Sequence, residues 1–303
     1  MALEIRHQYV QLNGIRLHYA ACGHADAPLL LFVHGFPESW MSWRAQLEAF
    51  GDHFHAVAVD TRGIGESTGP AAVDGYRARH MVTDLVALLD HLGVEKCVIV
   101  GHDWGGAIAC ALAFSHPERL HGLVMINAVH PDIYRRELVQ NPAQQAASAY
   151  MTFFLEDDAE ARVCADDHHY LIGMLASGTA SLPDWLDDDL LAACRRTWSR
   201  PGSVRAGLAY YRASPLHPAS RMDPGASGVK FDRAAMVVPV PTLIIWGEQD
   251  VFLLPGCLEG LGDYFPDRRV ERIADASHWV VHEKGLKVNR LITEFLNERI
   301  DRL

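Results

Sequence analysis

The stretch Cys97-Val98-Ile99-Val100-Gly101-His102-Asp103-Trp104-Gly105-Gly106 changes character twice. Its first four residues are an unbroken apolar run, as in a strand buried on both faces of a parallel sheet. From Trp104 onward small and apolar residues continue to Ser115 and stop before Pro117, which predicts a helix. Small residues at 101 and 105 permit a sharp strand-to-helix turn, and that turn projects Asp103 from the sheet edge. The arrangement is a nucleophile elbow with Asp in the place usually held by Ser. A helix N-terminus also favours negative charge there. Asp103 as a plain helix cap is the bland alternative, and the preceding strand makes it the weaker one.

Working outward, the same rhythm recurs. Segments 8–12 and 15–20 are β-like and meet at Asn13-Gly14, a hairpin signal. Short apolar runs at 29–33, 56–59 and 123–126 predict further buried strands, with a helix whose apolar spacing runs from Met81 to Leu92. From Pro131 to about Ala235 no core strand is evident; the segment is helix-like and rich in acids and aromatics, with 222–229 as a return linker. Strand–helix alternation resumes with a strand at 242–246, a helix over 253–265, a strand at 270–273 and a closing amphipathic helix. The expected organisation is an α/β core over 1–130 and 237–303, interrupted by a helical cap at 131–236.

Composition narrows the function. The 303 residues carry 27 Lys+Arg against 38 Asp+Glu, a formal charge of −11, and no basic run. Such a surface repels phosphate backbones, which excludes nucleic acid as a partner. The six cysteines show no paired spacing, which argues against a disulfide framework and a zinc site. Residues 1–13 lack an apolar signal region, and no run approaches the roughly 20 residues of a membrane helix. The expectation is a reduced, cytoplasmic, soluble protein, monomer or homodimer, without a membrane partner. Gly63-Ile64-Gly65 lacks the rest of a phosphate-binding fingerprint, so no cofactor is expected.

Three more segments fit the same sheet edge. Asp250 follows the strand at 242–246 and His278 follows the strand at 270–273, in the order nucleophile, acid, histidine. Either alone would be an ordinary turn residue. His34-Gly35-Phe36-Pro37 leaves the strand at 29–33, and the backbone N–H groups of Phe36 and Trp104 form the expected oxyanion hole. A carboxylate nucleophile selects its own chemistry. Attack on an ester would give a reactive anhydride, whereas displacement at sp³ carbon leaves a stable alkyl ester. Epoxides and alkyl halides are such substrates, and hydrolysis of the ester then needs water activated by His278 and oriented by Asp250.

The segments HGFPESWMSWR at 34–44, GHDWGG at 101–106, GEQD at 247–250 and SHW at 277–279 resemble the epoxide hydrolases of the α/β-hydrolase superfamily. The resemblance implies an eight-stranded, mostly parallel sheet with an inserted helical cap, and two cap tyrosines that protonate the opening epoxide oxygen. Tyr150 and Tyr211 match those positions; Tyr210 competes with Tyr211, because helical neighbours point about 100° apart. Tyrosine suits the task, being neutral at physiological pH with an ordinary pKa near 10. Trp104, Phe36 and Trp279 are the expected walls of a pocket for a small, apolar to moderately polar substrate.

A haloalkane dehalogenase is the competing reading, with Trp104 and either Trp185 or Trp198 holding halide. Haloacetate dehalogenases are disfavoured, because Trp104 and Ala107 or Ile108 stand where they carry arginines. A ligand-binding receptor on the same fold is the alternative of another class. His168-His169 beside Asp166-Asp167 invites a metal reading, but a solvated helix face is favoured. Asp187-Asp188-Asp189 followed by Arg195-Arg196 predicts a helix whose charges complement its dipole.

Overall fold

The apolar runs form strands because helices cover both of their faces. The computed structural model describes residues 4–177, 179 and 181–299; Met1 to Leu3, part of the stretch read for a signal region, lie outside them. Its sheet contains β1 (Arg6–Leu12), β2 (Ile15–Cys22), β3 (Leu29–Val33), β4 (His55–Asp60), β5 (Cys97–His102), β6 (Leu120–Ile126), β7 (Thr242–Gly247) and β8 (Arg268–Ile273). They lie in the order β1-β2-β4-β3-β5-β6-β7-β8. β3 to β8 are mutually parallel, and β1 and β2 form an antiparallel edge. Asn13 and Gly14 both take left-handed φ, 51° and 79°, as a tight two-residue hairpin requires.

The helices before the insertion are α1 (Arg44–Phe50), α2 (Ala78–His91) and α3 (Trp104–Ser115). Between β6 and β7 come α4 (Pro131–Gln140), α5 (Pro142–Ala147), α6 (Ala149–Phe154), α7 (Ala159–Leu175), α8 (Asp188–Trp198) and α9 (Ser203–Ala213). α10 (Val280–Glu283) and α11 (Gly285–Arg299) follow β8. Period-two alternation divides each central strand between two cores. Leu29, Leu31 and Val33 pack with α2 and α3, whereas Leu30 and Phe32 pack with α1 and α11. A third apolar cluster lies among α4 to α9 and meets the sheet edge at Phe36, Trp246 and Trp279.

Two local expectations are corrected. The helix expected over 253–265 is instead two short 3-10 turns, Pro255–Leu258 and Leu261–Asp263. Gly260 between them is left-handed at φ 77°, and Pro255 with glycines at 256, 260 and 262 denies a longer helix its backbone. His168 does not lie on a solvated face. Residues 166–168 have left-handed backbones that kink α7, and this turns His168 inward onto Trp198, with ring centroids 5.7 Å apart. In α8, Asp187 caps the N-terminus through Leu190 N–H, with Arg195 and Arg196 in the last turn. Among the described residues, no helix is long and apolar enough to cross a membrane.

Candidate active site

Asp103 sits between β5 and α3 with φ 52° and ψ −120°. That region costs a non-glycine residue about 1–3 kcal/mol, so the surroundings must enforce it. The Asp103 N–H reaches Ile126 O (3.3 Å), and its carbonyl accepts from Ala107 N–H (3.0 Å). A Cβ at Gly105 would stand 2.0 Å from Val33 O, so only glycine lets α3 start this close to β3. The loop after β3 closes in from the other side. A Cβ at Gly35 would meet the Asp103 Cβ at 2.5 Å, and Phe36 N–H donates to Asp103 Oδ1 at 2.9 Å. Trp104 N–H is the first amide of α3, one of the helix donors without an intrahelical acceptor.

The loops after β7 and β8 bring the other two groups to this sheet edge. His278 Nε2 stands 3.6 Å from Asp103 Oδ2, and His278 Nδ1 stands 2.7 Å from Asp250 Oδ2. Asp250 Oδ1 accepts from Phe252 N–H (2.8 Å) and Leu253 N–H (2.9 Å), and its Oδ2 from Asn127 Nδ2 (2.7 Å). Burial alone would raise the Asp250 carboxyl; the charge and hydrogen bond of His278 overcome it and hold the group below its ordinary value. For His278 burial acts downward, but Asp250 and then Asp103 outweigh it and push the ring up to about 9. A second buried carboxylate stands behind this pair. Glu38 contacts His282 Nε2 at 2.6 Å and His102 Nδ1 at 3.3 Å, while His102 Nε2 bonds the His278 carbonyl at 2.9 Å. Burial would raise the Glu38 carboxyl, and the two histidines instead hold it far below the usual range.

In front of Asp103 lies a cavity of about 290 Å³, lined by Trp104, Ile108, Tyr134, Tyr150 and Tyr211 among others. Ring centroids of Tyr150 and Tyr211 are 5.9 Å apart, and Trp104 is 5.2 Å from Tyr211. Burial raises both phenols well above 10; the next cause is their mutual interaction for Tyr150 and the Asp103 charge for Tyr211. Both therefore retain their protons at any physiological pH. Arg212 ties the two tyrosine-bearing helices together: its Nε donates to Phe154 O (2.9 Å) and its Nη2 to Glu156 O (2.7 Å), beyond the end of α6. Tyr210 also borders the cavity, but its hydroxyl is committed to Thr61 Oγ1 (2.7 Å) and Arg62 O (2.9 Å).

The predicted pocket walls separate. Trp104 lines the cavity, whereas the side chains of Phe36 and Trp279 stand behind it. The Phe36 ring supports Tyr211 edge-on at 5.4 Å, and Trp279 is buried with its indole N–H toward Met174 O. Of the tryptophans considered for halide binding, Trp104 lines the cavity but neither candidate partner does: Trp198 Nε1 donates to Pro37 O (2.6 Å), and Trp185 stacks on His282 at 4.6 Å. Sequence reasoning missed Asn127, Glu38 and Tyr134. Asn127 directly follows β6 at the same sheet edge, a signal that could have found it; Glu38 lies inside a stretch quoted only for its resemblance. Among the described residues, no three His, Cys, Asp or Glu side chains gather as a metal site requires.

Comparison with known proteins shows the family. A family model described as alpha/beta hydrolase fold matches residues 28–285. Epoxide hydrolase 4 of Homo sapiens is 34% identical over 96% of this chain and 79% of its own length. The AB hydrolase superfamily protein YfhM of Bacillus subtilis (strain 168) is 33% identical over 97% of this chain and 99% of its own. A crystal structure of Bacillus megaterium epoxide hydrolase with an inhibitor superposes with a TM-score of 0.85 at 33% identity, covering 96% of this chain and 100% of that one. The chain belongs to the epoxide hydrolases of the α/β-hydrolase fold family.

Proposed function

We propose that this epoxide hydrolase works through an alkyl-enzyme ester on Asp103, formed and hydrolysed beneath a helical cap at 131–236 carried by a core of 1–130 and 237–303. The enzyme converts an epoxide and water to a vicinal diol. Asp103 attacks a ring carbon while Tyr150 and Tyr211 bind the epoxide oxygen, and one of them transfers its proton to the developing alkoxide. The ester then removes the Asp103 charge, one of the carboxylate charges that hold the His278 proton. That proton becomes available to restore the tyrosine, and the neutral ring becomes a base. Water deprotonated by His278 attacks the Asp103 carbonyl carbon, and the N–H groups of Phe36 and Trp104 receive the oxyanion. Collapse expels the diol oxygen, which takes the proton from His278, and the Asp103 carboxylic acid so formed passes its own proton to His278, restoring the starting charge pair.

The observation that carries this reading is a carboxylate at one end of an apolar cavity, facing two protonated phenols and backed by a His–Asp pair. The test uses styrene oxide. The His278→Gln variant accumulates an adduct visible by intact mass, and one wild-type turnover in heavy-oxygen water leaves isotope in the Asp103 carboxylate. Label only in the first diol released, together with no adduct in the variant, overturns the scheme.

A further inference from the structure

Gln144 lies in α5, is fully buried, and uses both ends of its amide on partners distant in sequence. Its Nε2 donates to Phe252 O (2.7 Å) and Ser148 Oγ (2.9 Å), and its Oε1 accepts from Leu254 N–H (2.8 Å). The clasped segment is the one whose Phe252 and Leu253 amides hold Asp250 Oδ1. The ring of Phe252 in turn stands edge-on to both His278 (5.2 Å) and Tyr150 (5.6 Å). One amide in the helical insertion therefore grips the backbone that orients the catalytic acid and the ring that abuts the catalytic base. We infer that Gln144 is a positioning residue for the hydrolytic half of the reaction, acting on His278 through the 252–254 loop and Asp250.

This inference rests on the alkyl-enzyme reading, and it assigns the two half-reactions to different supports. Tyr150 and Tyr211 are carried by α6 and α9, which Arg212 joins; the clasp reaches them only through the Phe252 ring against Tyr150 and through Ser148 at the start of α6, whereas it holds the Asp250 side by backbone hydrogen bonds. Ring opening needs those phenols and Asp103; ester hydrolysis needs Asp250 and His278 aligned on a water. Angular and sub-ångström misplacement of a general base is costly, so loosening the loop burdens the second step selectively. A buried amide that merely satisfies its hydrogen bonds would affect both steps together, through stability.

Two substitutions probe the clasp. Gln144→Ala removes it. Gln144→Met keeps the length of the side chain but has no proton to donate to Phe252 O and only a weak sulfur acceptor for Leu254 N–H. Rapid-quench intact-mass measurement with styrene oxide follows adduct formation and decay separately. In either variant that folds, by circular dichroism, adduct decay slows ~10-fold or more while its formation stays within ~3-fold of wild type. With hydrolysis limiting, kcat and KM fall together and kcat/KM is kept. Equal losses in both steps, wild-type decay, or failure of both variants to fold overturns the inference and leaves Gln144 a structural amide. Absence of any adduct in wild type and in His278→Gln instead overturns the underlying alkyl-enzyme reading, a distinguishable result.

Discussion

Tyr150 and Tyr211 present two phenols to one cavity; an ordinary phenol is already protonated at physiological pH, and burial, with the Asp103 charge nearby, raises both further. A donor that stays neutral can stabilise a developing alkoxide and release a proton to it, a contribution of about 10²–10⁴ in rate for general acids. Each single Tyr→Phe substitution leaves one donor and is expected to lower kcat/KM for styrene oxide moderately. The double variant Tyr150→Phe/Tyr211→Phe is expected to lose ~10²-fold or more. Diol formation measured by chromatography decides it, and near-normal rates in the double variant would refute the assignment. Asp103, Asp250 and His278 were legible in the sequence because each follows a recognisable strand. Asn127 follows a strand in the same way and was overlooked; Gln144 was not legible, because its role is defined by partners more than a hundred residues away.

The elbow between β5 and α3 is the element on which the placement of Asp103 depends. Its geometry is bought with glycine, since the carbonyl of Val33 occupies the space of a Gly105 Cβ at 2.0 Å and backbone cannot swing aside like a side chain. Gly105→Ala is therefore expected to destabilise the fold by about 1–3 kcal/mol and to displace Asp103, with activity falling more than stability explains. Gly173 in α7 provides the contrast, because nothing lies within 4 Å of a Cβ there. Gly173→Ala is expected to be neutral or to stabilise by up to about 1 kcal/mol, through helix propensity. Denaturant melts and diol assays on both variants test the pair, and equal behaviour would contradict the steric account. The expected helix over 253–265 failed for the same class of reason: its apolar spacing was present, but proline and glycine governed the backbone.

Across the whole molecule, the buried His278–Asp250–Asp103 cluster couples stability to pH. His278 is raised from its ordinary 6.5 to about 9 in the folded enzyme. A raised folded value means that its stabilising contribution is complete below about 6.5 and disappears as pH climbs through about 9. Asp250 acts in the opposite direction: its depressed carboxyl contributes above the ordinary carboxylate range, and that contribution is lost as acid protonates it. Thermal melts between pH 6.5 and 9.5 are expected to show a decline in wild type that is shallower in His278→Gln. Parallel declines would mean that the His278 proton is not held by the folded cluster.

The sequence by itself determined the sheet, the elbow and the order of acid and histidine, because strand burial, turn chemistry and helix periodicity are local consequences of residue type. It also put a carboxylate, Asp103, at the elbow, the residue on which the proposed alkyl-enzyme chemistry rests. Tertiary structure alone decided which helical tyrosine meets its partner, since Tyr210 is consumed by Thr61 and Arg62 while Tyr211 stands against Tyr150. It likewise decided that Phe36 and Trp279 support the site from behind, and that Asn127, Glu38 and Gln144 brace it. Those assignments depend on through-space distances of a few ångströms between distant segments, and no periodicity along the chain encodes them.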